Sequence, residues 1–191
     1  MHLFFDTETT GLPKNWRAPI TDSDNWPRLV QLAWIATDDG GKILSGQNQI
    51  IKPEGFTIPE PAAKVHGITT EKAIKEGINL KDALSEFANS LFASEILIAH
   101  NINYDINIIG AEFFRKQIKN NLAEIEKFCT MQTATNFCQI PHANGYGYKW
   151  PKLTELHTKL FDQGFDNAHD ALSDVKACAK CFFEMKGRGI I

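Results

Sequence analysis

Apolar residues fall along this chain in short runs separated by helical periodicities. Residues 2–6 (HLFFD) are apolar almost to their final acid, as a central strand covered on both faces requires. Residues 29–37 (LVQLAWIAT) read as a second strand. After the turn DDGGK, 43–51 (ILSGQNQII) read as a third. Between the first two, 13–28 hold three prolines, Trp16, Trp26 and several Asp, Asn and Ser, which predicts a loop or insertion. The Pro/Gly-broken stretch KPEGFTIPEPAAKVHGIT leads to a short helical piece near residue 71. Residues 81–93 place Ala83, Leu84, Phe87 and Leu91 at helical spacing. EILIA (95–99) is a further buried strand, and a helix runs from about 103 to 116. A polar helix is expected over 118–127, a last short strand at 128–129 and a helix over 130–138. A glycine- and aromatic-rich loop follows at 141–151, then helices at 152–160 and 170–186. Three antiparallel strands followed by alternating strands and helices predict an α/β protein, a mixed sheet flanked by helices, in one domain over 1–191.

Composition narrows the class. With 43% hydrophobic and 23% charged residues, 191 residues suffice for one well-packed soluble domain. No apolar run is long enough to span a bilayer, and MHLFFDTE turns acidic early, so a cytoplasmic protein without a membrane partner is expected. Cys129, Cys138, Cys178 and Cys181 show no disulfide framework. The last two, three apart in a helical pattern, read as small buried residues rather than a zinc or redox pair. Net charge is −3. A protein gripping a long duplex would carry a basic stripe, so a short grip on a chain end fits better.

Five positions then change the picture. Asp6 and Glu8 lie in FFDTETTGL (4–12), Asp105 in IAHNINYDINII (98–109), and His169 with Asp174 in HDALSDVKAC (169–178). Asp6 and Glu8 are two apart on a strand, so they share a face. Alone, they also read as turn caps, and Asp105 as an ordinary first-turn acid at a helix start. Asp174 is less ordinary. With Asp170 as N-cap, it heads the stripe Ala177, Cys178, Cys181, Phe182, Met185, which places a carboxylate on the face packed against the sheet. An inward charge needs a partner. Four carboxylates among apolar segments are reconciled by hard divalent cations, which take oxygen ligands, and a nearby histidine suits proton transfer.

These motifs, in this order, resemble the DnaQ-like DEDD superfamily of 3′→5′ exonucleases, in its histidine-bearing branch. RLVQLAWI, KVHGIT and KLTELH are similar to its intervening segments, while the 13–28 insertion, expected to carry Trp16 and Trp26 beside the site, and the pattern around 118–130 depart from it. The resemblance implies an RNase H-like fold with a five-stranded mixed sheet. It implies two Mg²⁺ or Mn²⁺ ions held by Asp6, Glu8, Asp105 and Asp174. Asp6 would bridge them, Glu8 and Asp174 would favour the ion on the attacking water, and Asp105 the ion at the leaving 3′-oxygen. His169 would take the proton from that water. Thr9 and Leu12 resemble positions that touch the terminal nucleotide, and His66 one that meets its base or sugar. Asn101 either positions the second motif or a phosphate, or caps a helix. Tyr146, Tyr148 and Trp150 either stack bases or pack their loop down.

The implied activity is release of nucleoside 5′-monophosphates from single-stranded or frayed DNA 3′ ends, alone or as the proofreading subunit of a polymerase. RNA 3′-end trimming or oligoribonucleotide degradation is the runner-up. A silent nucleic-acid-binding module and a structure-selective endonuclease are readings of other classes. Oligomeric state is not legible.

Overall fold

The computed structural model describes residues 1–166 and 168–191. Its elements in chain order are β1 (His2–Thr9), β2 (Leu29–Thr37), β3 (Ile43–Ile50), α1 (Glu60–His66), α2 (Thr70–Glu76), α3 (Leu80–Phe92), β4 (Ile96–Ala99), α4 (Ile102–Lys116), β5 (Glu126–Cys129), α5 (Thr130–Thr133), α6 (Thr135–Cys138), α7 (Leu153–Phe161) and α8 (Ala171–Gly187). The five strands form one mixed sheet in the order β3-β2-β1-β4-β5. β1 runs antiparallel to β2 and parallel to β4, and β5 extends the parallel side. The expected five-stranded α/β architecture is what the chain adopts.

The central position of β1 explains its composition. Leu3 and Phe5 pack with Phe87 of α3 and Ile108 and Ile109 of α4, whereas Phe4 packs on the other face with Val175, Cys178 and Phe182 of α8. Side chains alternate along a strand. Asp6 and Glu8 share the parity of Phe4 and therefore fall on the α8 face, while Thr7 falls on the α4 face. That parity organises the site. The α8 stripe is buried as expected, and Cys178 and Cys181 are free thiols whose pKa burial raises, Cys181 to about 12.

Several local expectations are corrected. Residues 118–121 are irregular and 122–125 form a turn and bend, not a polar helix. Gln117 ends α4 in the left-handed region (φ 52°), Asn120 Oδ1 accepts the Leu122 N–H, and the Asn121 carbonyl accepts from Glu124 and Ile125. Paired asparagines satisfy the backbone locally, so Leu122 and Ile125 turn into the core and Ile118 packs against it. The last strand accordingly starts earlier than expected, at Glu126. The helix expected over 130–138 is two single turns parted at Ala134. An unforeseen helix, α1, occupies the Pro-rich stretch, because Pro61 sits in its first turn, where no amide donor is needed. Trp26 is not beside the site. It is 3% exposed in the core and donates its indole N–H to the Pro19 carbonyl.

Candidate active site

Three element ends converge at one edge of the sheet: the C-terminal end of β1 and the first turns of α4 and α8. Asp105, 3% exposed, turns its Oδ1 to β1, where it accepts the Thr7 backbone N–H at 3.1 Å and the Thr7 hydroxyl at 2.6 Å. On the opposite face of β1, Glu8 meets α8. Single ligand atoms from Glu8, His169 and Asp174 all lie within 4.8 Å of one another. Asp6 lies between the two groups and feels Asp105, Asp174 and Glu8 electrostatically. The structure thus brings all five principal residues of the sequence reading together.

Their electrostatics oppose a metal-free, fully ionised state. Burial first, and the neighbouring carboxylates second, raise Asp6 well above its ordinary range and Glu8 to about 8. Burial raises Asp105 to about 7 against the pull of the two Thr7 donors, and Asp174 to about 6 against its bond from the His169 amide. Among the described residues, no lysine or arginine pairs with any of the four. An all-oxygen donor set with excess negative charge and no cationic side chain fits hard divalent ions.

Local backbone geometry fixes the surrounding groups. Asn101 precedes α4 in the left-handed region (φ 71°) and makes no side-chain cap, so the capping alternative fails and its side chain lines the cleft. His169 is also left-handed (φ 72°). Its amide donates to Asp174 Oδ2 at 3.1 Å while the residue stays exposed. Asp170 caps α8 through Ser173 and accepts Gln31 Nε2 at 3.1 Å, and Gln31 also donates to Asn48 at 2.8 Å. The His169 loop is therefore tied to β2 and β3 at its helix end.

A cleft of about 760 Å³ opens from the carboxylates, walled by Leu12, Trp16 and Tyr104 on one side and by Ala62, Val65 and His66 of α1 on the other. Leu12 is 73% exposed. The Thr9 hydroxyl is engaged by the Gly11 carbonyl at 2.7 Å and Tyr104 Oη at 2.6 Å, which fixes the turn that presents Leu12. His66 Nδ1 accepts the Ile68 N–H, so the neutral ring carries its proton on Nε2. Burial lowers its pKa against an opposing pull from the Thr9 backbone. A slightly larger pocket, about 840 Å³ beneath Ile20 and Phe114, is lined by no carboxylate or histidine among the described residues, so the chemistry lies elsewhere.

Four contributors escaped the sequence reading: Thr7, Gln31, His100 and Tyr104. Thr7 was readable from strand alternation, because the residue between Asp6 and Glu8 must face α4. Gln31 was readable as the one amide in an otherwise apolar run, opposite Glu8 in register. Tyr104 and His100 carried no such mark. His100 is held between Thr130 Oγ1 at 3.0 Å and the Pro151 carbonyl at 2.9 Å, and burial depresses its pKa to about 4.

A family model described as Exonuclease (RNase_T) matches residues 3–182. The chain is 25% identical to DNA polymerase III PolC-type of Mycoplasmopsis pulmonis over 99% of its length, and 27% identical to DNA polymerase III subunit epsilon of Buchnera aphidicola over 68%. It is 28% identical to a Buchnera aphidicola ribonuclease T over 96%. It spans 12%, 51% and 80% of those three proteins. Among solved structures, E. coli Exonuclease I in complex with a dA16 oligonucleotide superposes with a TM-score of 0.76 at 22% identity, over 98% of this chain and 41% of that one. A zinc-bound form of the same protein gives 0.75. These likenesses establish the shared fold.

Proposed function

The chain belongs to the exonuclease family whose model spans residues 3–182, and from that membership we propose that it is a metal-dependent 3′→5′ exonuclease of the histidine-bearing DEDD type. The observation that carries this reading is the convergence of Asp6, Glu8, Asp105 and Asp174 with, among the described residues, no lysine or arginine paired with them. These four would hold two Mg²⁺ or Mn²⁺ ions. When bound, such ions polarise a phosphodiester and acidify water.

The chain's own residues supply the rest. Asp105 is fixed by both Thr7 donors, so its oxygen is placed before substrate arrives. Glu8 and Asp174 face each other across the β1–α8 junction beside His169. The exposed His169 ring is the proton acceptor for the attacking water, and its amide bond to Asp174 keeps the loop in register with the acids. The 3′-terminal nucleotide lies in the cleft against Leu12 and His66, with the Thr9 turn and Asn101 lining its path. The largely apolar walls bind a nucleobase without reading its edges.

Single-stranded or frayed DNA is the proposed substrate, cleaved to nucleoside 5′-monophosphates alone or beside a polymerase. One observation favours RNA as the second reading: ribonuclease T proteins stand beside the polymerase proteins among the chain's relatives, one of them matched over 80% of its own length. Among the described residues, no helix is long and apolar enough to cross a membrane.

The test uses 5′-labelled DNA and RNA oligomers of one sequence in Mg²⁺, with and without EDTA, beside Asp174→Ala. A metal-dependent ladder shortening from the 3′ end, lost in the variant, is expected. Greater turnover of RNA would reverse the substrate preference, and strand binding without any ladder would mark a silent module. His169→Ala is expected to lower kcat by about 10²- to 10⁴-fold. An unchanged kcat would remove His169 from the role of base.

A further inference from the structure

The aromatic segment that this chemistry leaves unused is a hairpin. Pro141 and Tyr148 bridge antiparallel, the Lys149 amide donates to the Ile140 carbonyl at 2.9 Å, and the His142 amide to the Gly147 carbonyl at 3.1 Å. Gly145 and Gly147 allow the tight reversal at φ 77° and 67°. Its rings are not packed down: Tyr146 is 85% exposed, Tyr148 45% and Trp150 61%. Scattered surface aromatics need no explanation, but three within five residues of one bonded hairpin form a patch.

Charge separates this region from the rest of the protein. Residues 127–154 contain no Asp or Glu and three lysines, so a chain of net charge −3 carries +3 in this segment and −6 elsewhere. Lys149 is held by Glu155 at 2.6 Å, while Lys152 is exposed. The hairpin is continuous with the cleft. The residue after Trp150 is Pro151, whose carbonyl meets the ring of cleft-lining His100 at 2.9 Å. Consecutive Cα atoms lie about 3.8 Å apart, so the Trp150 backbone lies one residue from a group bonded to the cleft lining. An aromatic surface joined to the cleft lining, whose one adjacent acid is already paired with Lys149, suits a polyanion with exposed π-faces, and only unpaired bases offer such faces to side chains.

We propose that the 141–150 hairpin is a stacking platform for the body of a single strand whose 3′ end occupies the cleft, with Tyr146, Tyr148 and Trp150 as its rings. The proposal rests on the exonuclease reading for the position of that end. It deepens that reading by making the enzyme sensitive to strand length and indifferent to sequence.

The test compares the full chain with the Tyr146→Ala/Tyr148→Ala/Trp150→Ala triple variant and a second triple variant carrying Phe at the same positions. Anisotropy of fluorescein-labelled dT15 in EDTA reads the surface without turnover. In Mg²⁺, the ratio of kcat/KM for dT15 over dT2 reads it during hydrolysis. The alanine variant is expected to bind dT15 about 10- to 100-fold more weakly and to lose the length ratio, with the Phe variant restoring most of both. Folding damage would lower activity on both lengths and leave the ratio standing. An unchanged ratio and affinity in the alanine variant would overturn the platform and leave the rings to a protein partner. A wild type that binds dT15 through these rings yet never shortens it would support the platform and overturn the exonuclease reading instead.

Discussion

Helix α4 carries two buried carboxylates seven residues apart, and their surroundings are opposite. Glu112, fully buried, accepts Arg28 Nε at 2.9 Å and the Leu29 amide at 3.0 Å, with the Arg115 guanidinium 3.0 Å away. Arg115 in turn donates to the Ser23 and Trp26 carbonyls, which fastens the 13–28 insertion to the helix. Asp105, at the other end, has two Thr7 donors, three further acids nearby and no cation among the described residues. Burial is therefore a poor guide to role. A buried acid that the protein has already neutralised is architecture, and one left among like charges is a site awaiting positive charge.

Substitution sharpens that contrast, because the two acids should respond with opposite sign. Asp105→Asn keeps the shape and the Thr7 bonds while removing a repelling charge. Turnover is expected to fall on the order of 10³-fold, the several kcal/mol of lost charge stabilisation, while the melting temperature in EDTA rises. A fall in that melting temperature would mean the acids do not repel. Glu112→Gln is expected to behave in reverse. It strands two arginines and costs about 3–5 kcal/mol of stability, read by denaturant midpoint, with kcat per folded molecule retained.

Acidity tests the same contrast without mutation. The site carboxyls are raised when folded, so between about pH 4 and 8 the native state binds more protons than the unfolded chain. Their stabilising contribution is complete below about pH 4 and is lost as pH rises through about 6 for Asp174, 7 for Asp105 and 8 for Glu8. Melting in EDTA should therefore worsen across that window, and Mg²⁺ should restore it most at the alkaline end. An equal Mg²⁺ effect at pH 5.5 and 8 would break the link between titration and metal. The smallest effect is expected for Thr7→Val. It removes one of Asp105's two donors and should cost about fivefold in kcat/KM, as roughly 1 kcal/mol predicts.

What the sequence disclosed follows the same physics. Strands covered on both faces, such as HLFF and LVQLAWIAT, announce themselves because nearly every position must be apolar. Asp174 was legible because it interrupts an apolar stripe. The irregular 118–125 segment was not, since Asn120 satisfies the backbone through its side chain and mimics a polar helix in composition alone. Trp16 and Trp26, alike in sequence, part company in space: Trp16 lies against Tyr104 at the cleft, with ring centroids 5.8 Å apart, and Trp26 sinks beneath the insertion. Arg115 helps to anchor the loop that separates them, and its contact with the Trp26 carbonyl spans about ninety residues of chain.

The meeting of Asp6 with Asp174 across β1 and α8 also sets a schedule for synthesis. These partners are separated by 168 positions, which a ribosome covers in roughly 10–30 s. Through that interval the apolar strand β1 exists without the helix that covers one of its faces. The carboxylate cluster cannot assemble until α8 has emerged and docked, so through that interval the nascent chain holds neither the completed site nor the cover for β1 and depends on protection from aggregation.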